Sequence, residues 1–222
     1  MRLNVKYPLS CFVLATAALS STGSGAAEAG DILVRVRGLG IVPTSASHEL
    51  PELPAGSRLE ADTAFTGEVD FTYMLTPRWG LELILATSIH DLEADGAIAG
   101  LGDIGEANLL PPTLTLQYHF RPQAAIRPYA GIGVNYTLFY DGETNATLDG
   151  ALGPTHIDLG NSTGLALQAG VDIALTKGWF FNVDLKYIEI DTGTTLTSGA
   201  LKRFTTVNID PLVFGLGFGR AF

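Results

Sequence analysis

Apolar side chains recur at every second position in eight separate stretches of this chain, and the positions between them are polar, charged or glycine. Alternate residues of a β-strand face opposite sides, so each stretch predicts a strand with one apolar face. In the first, Ile32, Val34 and Val36 oppose Arg35 and Arg37. In the second, Val69, Phe71, Tyr73 and Leu75 oppose Glu68, Asp70, Thr72 and Met74. The third sets Leu81, Leu83, Leu85 and Ile89 against Glu82, Ile84, Ala86, Ser88 and His90. The fourth sets Leu114, Leu116, Tyr118 and Phe120 against Thr113, Thr115, Gln117 and His119. Ala130, Ile132, Val134, Tyr136 and Leu138 then oppose Gly131, Gly133, Asn135 and Thr137. Leu165, Leu167, Val171 and Ile173 oppose Gln168, Gly170 and Asp172, and Phe181, Val183, Leu185 and Tyr187 oppose Asn182, Asp184, Lys186 and Ile188. In the eighth, Leu212, Phe214, Leu216, Phe218 and Phe222 share one parity, while Val213, Gly215, Gly217 and Gly219 fill the other.

The connections alternate between short turns and long segments around residues 41–62, 91–111, 141–162 and 191–204. Long irregular loops are uncommon in compact soluble domains, and an even strand count returns both ends of a barrel to one side. The pattern predicts an all-β fold, an eight-stranded antiparallel transmembrane β-barrel, with long extracellular loops and tight periplasmic turns. A secreted eight-stranded barrel of lipocalin type is the soluble alternative. In that case the apolar parity would point inward and the charged parity outward.

Residues 1–27 read as a secretory signal: Arg2 and Lys6, an apolar stretch from Leu9 to Leu19, then small residues, with residues 28–222 left as the barrel. The only cysteine, Cys11, falls inside that signal. Removing Arg2 and Lys6 leaves 11 basic against 23 acidic residues, a net charge of −12. Such a chain is a poor partner for nucleic acid. No later stretch approaches the ~18 uninterrupted apolar residues of a membrane helix. Trp79 and Trp179, each just after a short turn, are expected to form an aromatic belt at the periplasmic interface with Tyr118 and Phe120. Phe222 supplies the terminal aromatic that the machinery assembling outer-membrane barrels reads. Acidic residues collect in the long segments, among them Glu49, Glu52, Glu93, Asp95, Asp103, Glu106, Asp141, Glu143 and Asp149, but their spacing matches no ion-binding loop. Neither a cofactor nor a metal is expected.

Several motifs occur in a fixed order: Leu110-Pro111-Pro112-Thr113, Arg127-Pro128-Tyr129-x-Gly131-x-Gly133-x-Asn135-Tyr136-Thr137, Gly170-Val171-Asp172, Ile190-Asp191-Thr192 and Ile209-Asp210-Pro211-x-Val213-Phe214. As an ordered set they resemble the OmpW family of outer-membrane proteins over essentially the whole of residues 28–222. The resemblance implies an eight-stranded barrel in the outer membrane of a Gram-negative bacterium, with a narrow, largely apolar interior and an association with passage of small hydrophobic molecules. Ile84 keeps the apolar character of the family's lumen constriction, whereas Lys186 stands at a facing position that is usually aromatic. Arg220 also replaces an aromatic and breaks the apolar parity of the last strand.

If the first strand rises from the periplasm, parity places Arg35, Arg37, Asp70, Glu82, Asp172, Asp184 and Lys186 in the lower or middle lumen. Ala86, Phe139, Ile188 and Ile209 fall above them. Opposite charges in so narrow an interior form a polar plug. A lumen path lined by Ile84, Ala86, Phe139 and Ile188, with Lys186 at its base over that plug, suits a hydrophobic solute that leaves sideways into the lipid. The glycines of the fifth and eighth strands are candidate places for local opening, or else relieve crowding. A lipid-modifying enzyme would need a base beside a nucleophile; His90 and His119 face inward near opposite ends, and the sequence sets no serine beside either with an orienting carboxylate. A structural or receptor barrel with a filled interior, its loops bound by ligands, phage or bacteriocins, is the other reading. The oligomeric state is left open.

Overall fold

The computed structural model describes residues 27–45, 47–50 and 53–222. Residues 1–26 of the expected signal, Cys11 among them, lie outside the described residues, as do Glu52 and the side chains of Asp141 and Glu143. The strands are β1 (Ile32–Val42), β2 (Ser57–Ala61), β3 (Ala64–Met74), β4 (Trp79–Ala86), β5 (Ser88–Gly96), β6 (Asp103–Leu110), β7 (Thr113–His119), β8 (Ile126–Thr144), β9 (Thr155–Leu159), β10 (Ser162–Ala174), β11 (Trp179–Ile188), β12 (Asp191–Ser198), β13 (Leu201–Asn208) and β14 (Leu212–Ala221).

Eight of them close a barrel in the order β1-β3-β4-β7-β8-β10-β11-β14, every pair antiparallel, with β14 returning to β1. These are the eight strands that the alternation predicts. Their apolar parity faces out: Val36, Phe71, Leu83, Ile132, Leu167, Leu185 and Phe218 are all exposed. The charged parity faces in, with Arg35, Asp70 and Glu82 at 0% exposure. This is the reverse of a soluble barrel, because only lipid solvates a continuous apolar exterior of this extent. Pairing of β14 with β1 removes the two outer edges that an open eight-stranded sheet would carry.

Short turns join the strands at one end. In the turn before β4 the Thr76 hydroxyl accepts the N–H groups of Arg78 and Trp79 at 3.2 and 3.0 Å. Before β11, Lys177 and Gly178 both take positive φ, +59° and +78°. Inside, glycine makes room for the large inward groups. A Cβ on Gly219 would meet the Phe180 ring, and one on Gly170 the Tyr129 phenol.

The segments expected as irregular loops at the other end are largely strands, a correction to the sequence reading. β5 pairs with β2 and β6, β6 runs along the upper part of β8, and β12 pairs with β9 and β13. A helix, α1 (Ala146–Leu152), is capped by the Asn145 side chain, which accepts the N–H groups of Thr147 and Leu148. Together these elements form a crown on the barrel. The pattern inverts there: Leu92 and Ala94 point in while Asp91, Glu93 and Asp95 of the same strand point out or toward the rim. Above the hydrocarbon the outer face meets water and headgroups, so the charges move outside and the apolar groups supply a core.

Candidate functional site

Arg35 and Arg37, two residues apart on β1, project into the lumen one above the other. Their cross-strand partners on β3 are Asp70 and Glu68. Arg35 Nη1 lies 2.9 Å from Asp70 and donates to Thr72 Oγ1 at 2.7 Å; its Nη2 reaches Asp172 across the barrel at 3.1 Å. Arg37 meets Glu68 at 2.5 Å, Asp70 at 2.7 Å and Glu82 at 3.2 Å. Lys186 Nζ lies 3.0 Å from Glu68 and 2.6 Å from Asp184. Neutral groups complete the network. The Tyr129 hydroxyl donates to Asp184 at 2.6 Å, Gln168 donates to the same carboxylate at 3.0 Å, and Asn182 donates to Asp172 at 2.7 Å. Below, the Arg35 guanidinium stacks near Tyr129 and Phe180, 5.3 and 5.5 Å from the ring centroids. Burying charge is tolerated only when partners replace the lost water, and each of these ions has several.

Above this plug the lumen turns apolar. A cavity of about 40 Å³ is walled by Leu39, Ile41, Ile84, Ala86, Ile188 and Val213 and floored by Glu68 and Lys186. A single water takes about 10–15 Å³ on this scale, so the space equals a few waters. A second cavity of about 310 Å³ lies in the crown, lined by Leu50, Leu59, Ile98, Ile104, Leu148 and Leu196. Residues of both belong to one continuous cluster of buried apolar side chains.

The wall beside the lower cavity is interrupted. β4 pairs with β7 up to Ile84↔Thr113, and β5 pairs with β6 from Ser88↔Leu109 in the same register, but no ladder joins the residues between. There Leu85, Ala86 and Thr87 face Leu110, Pro111 and Pro112. Proline has no N–H to donate, so two in succession open a strand pair. On the glycine-rich strands, by contrast, the ladders of β8 with β7 and β10 and of β14 with β1 and β11 run unbroken past Gly131, Gly133, Gly215, Gly217 and Gly219.

The structure thus brings Arg35, Arg37, Asp70, Glu82, Asp172, Asp184 and Lys186 into one network, and sets Ile84, Ala86 and Ile188 on the wall of the cavity above it. Phe139 is only partly buried. It packs on the apolar cluster and lines a groove between β8 and β9 instead of the cavity. Glu68, Tyr129, Gln168 and Asn182 complete the plug although the sequence reading assigned them no place there. Glu68 shares the parity of Asp70, and Tyr129 is the inward residue just before Ala130, so both were findable by parity. Ser88 lies 3.2 Å from His90 Nε2, a proximity that the sequence reading did not make. The other His90 nitrogen bonds the Asp62 carbonyl, not a carboxylate. His119 lies near the other end, stacked on Tyr129. Trp79, Tyr118 and Phe120 form an outward edge-to-face row, with centroids 4.9 and 5.1 Å apart. Trp179 and Phe222 flank Arg220, whose Cζ lies 5.9 and 5.0 Å from their ring centroids.

A closed eight-stranded wall, apolar outside and ion-paired inside, defines an outer-membrane β-barrel. Residues 28–222 match the OmpW family, and the chain belongs to that family. It is 36% identical over 215 residues to outer membrane protein W of Vibrio cholerae, covering 96% of this chain and 98% of that one. The crystal structure of OprG from Pseudomonas aeruginosa superimposes with a TM-score of 0.82 at 31% identity, over 90% of this chain and 99% of OprG. The solid-state NMR structure of AlkL in lipid bilayers has the same fold, with a TM-score of 0.67 at 24% identity, over 99% and 97% of the two chains. The protein resides in the outer membrane of a Gram-negative bacterium.

Proposed function

We propose that the barrel takes up small hydrophobic molecules passively from the cell exterior and releases them sideways into the membrane. The observation that carries this reading is the unbroken apolar cluster running from the crown pocket to the cavity above the plug, next to an interruption in the wall. A solute moving down this path meets Lys186 and Glu68, where an apolar molecule gains nothing by going further. The gap between Ala86 and Pro111 is the exit closest to that point. It replaces the glycine strands as the place of opening, since their ladders are intact. The plug blocks water and ions, so the barrel is a path for apolar molecules only. Outside, lipids contact the apolar parity, Trp79, Trp179 and Phe222 anchor the periplasmic interface, and the assembly machinery reads the closing strand β14.

Uptake of a short alkane by cells with and without the protein tests the reading, together with single-barrel conductance. Faster alkane uptake and negligible conductance are expected; equal uptake would sink the proposal. One observation favours a receptor barrel instead: the cavity at the plug holds only about 40 Å³ as it stands. On that reading the crown binds ligands, phage or bacteriocins, and uptake is unchanged by deleting the gene.

A further inference from the structure

Arg220 sits on the lipid face, in line with Phe214, Leu216 and Phe218 on β14. Its cross-strand neighbours are Trp179 on β11 and Val34 on β1. The guanidinium is held between the Trp179 and Phe222 rings, and among the described residues it meets no carboxylate. Its Nε is shielded from solvent and has no acceptor. A charge on this face is tolerable because it lies at the tight-turn end, at headgroup depth, where the penalty is small. A second cation is close by. Lys177 occupies the adjacent turn, which is pinned to β14 by the Ala221 N–H donating to the Gly178 carbonyl at 3.3 Å. Lys177 likewise has no carboxylate partner among the described residues.

We propose that Arg220, Lys177 and Trp179 form a site for the phosphate of a glycerophospholipid in the periplasmic leaflet. Arginine holds a phosphate with paired N–H donors, lysine adds a point charge, and tryptophan is a residue favoured at the headgroup level of membrane interfaces. The acyl chains then lie along Phe218, Leu216 and Val36, which are 55%, 58% and 59% exposed on the same wall. The two rings position the guanidinium before lipid arrives, which limits the ordering needed on binding. This site is independent of the lumen and of what passes through it.

The test is native mass spectrometry of the purified barrel in a neutral detergent, titrated with phosphatidylglycerol. Arg220→Phe and Arg220→Gln are each expected to weaken binding about fivefold to tenfold, and Lys177→Gln by somewhat less. Arg78→Gln, which removes a cation at the same depth on another part of the rim, leaves binding unchanged. Diacylglycerol, which has the chains without the phosphate, is not retained, and millimolar inorganic phosphate does not compete. Equal retention of diacylglycerol means acyl contact alone and overturns the proposal. So does displacement by inorganic phosphate, which marks a free-anion site, or unchanged affinity in both Arg220 variants. Heat-modified mobility on gels establishes that each variant is folded.

Discussion

Lys186→Met removes a buried cation without removing its length. Lys186 is 2% exposed and serves two carboxylates, Glu68 at 3.0 Å and Asp184 at 2.6 Å. Deleting one member of a buried ion pair costs about 3–5 kcal/mol, because the abandoned charge stays in low dielectric. Both carboxylates retain other partners here. Glu68 keeps Arg37 at 2.5 Å, and Asp184 keeps the Tyr129 hydroxyl at 2.6 Å and Gln168 at 3.0 Å. The loss is therefore expected near the lower end, about 3 kcal/mol, or roughly a hundredfold in the folding equilibrium. Adding Glu68→Gln lowers the excess of carboxylates over cations that the loss of Lys186 leaves in the plug and is expected to restore about half of the lost stability. Denaturant unfolding from lipid vesicles, followed by the fluorescence of outward-facing Trp79 and Trp179, measures both. A single variant within about 0.5 kcal/mol of wild type, or a double variant less stable than the single, would refute the argument that the network is held by its charges.

A disulfide formed by Ala86→Cys with Pro111→Cys bridges the interruption in the wall; alkane uptake is expected to stop and to return with reductant, and uptake that persists in the oxidised protein removes the lateral exit. Gly219→Leu collides with the Phe180 ring, so refolded yield in vesicles is expected to fall sharply, by the equivalent of about 1–3 kcal/mol or more. Asn145→Ala removes the cap of α1 and costs about 1 kcal/mol locally, seen as faster amide exchange over residues 146–152 with exchange in the barrel unchanged. Purified barrel is expected not to hydrolyse lipid esters, so Ser88→Ala has no turnover to change; hydrolysis that this variant abolishes would put an enzyme in the cavity.

Strand parity carried most of the architecture, because in a membrane barrel lipid and lumen demand opposite chemistry on alternate residues. Every barrel strand and the facing of every plug ion could be read that way, and the register then pairs Arg35 with Asp70 and Arg37 with Glu68. Tyr129 escaped because it precedes the regular run, behind Pro128, and its hydroxyl acts across the barrel on Asp184. The crown escaped for a different reason. In β5 the alternation of Leu92 and Ala94 with charged neighbours persists after its sign has flipped, so acidic outward residues look like loop when only the membrane rule is applied. The wall interruption was visible as Pro111-Pro112 in the fourth segment's approach, but its meaning needed the register of β4 and β5 beside it. The glycines were legible as small inward residues. Whether they left space or admitted a neighbour depended on Phe180 and Tyr129, which come from other strands.

The plug draws its ions from strands far apart in the chain. Arg35 and Arg37 belong to β1, whereas Asp172 and Asp184 lie 137 and 147 residues later, on β10 and β11. A partly inserted sheet therefore holds its first arginines without two of their five carboxylate partners, in the medium least tolerant of bare charge. Pairing is complete only once the later strands arrive and β14 zips to β1. The network thereby gives the newly made chain a large reward for the final step of assembly, and makes an incompletely closed barrel the species most exposed to quality-control proteolysis.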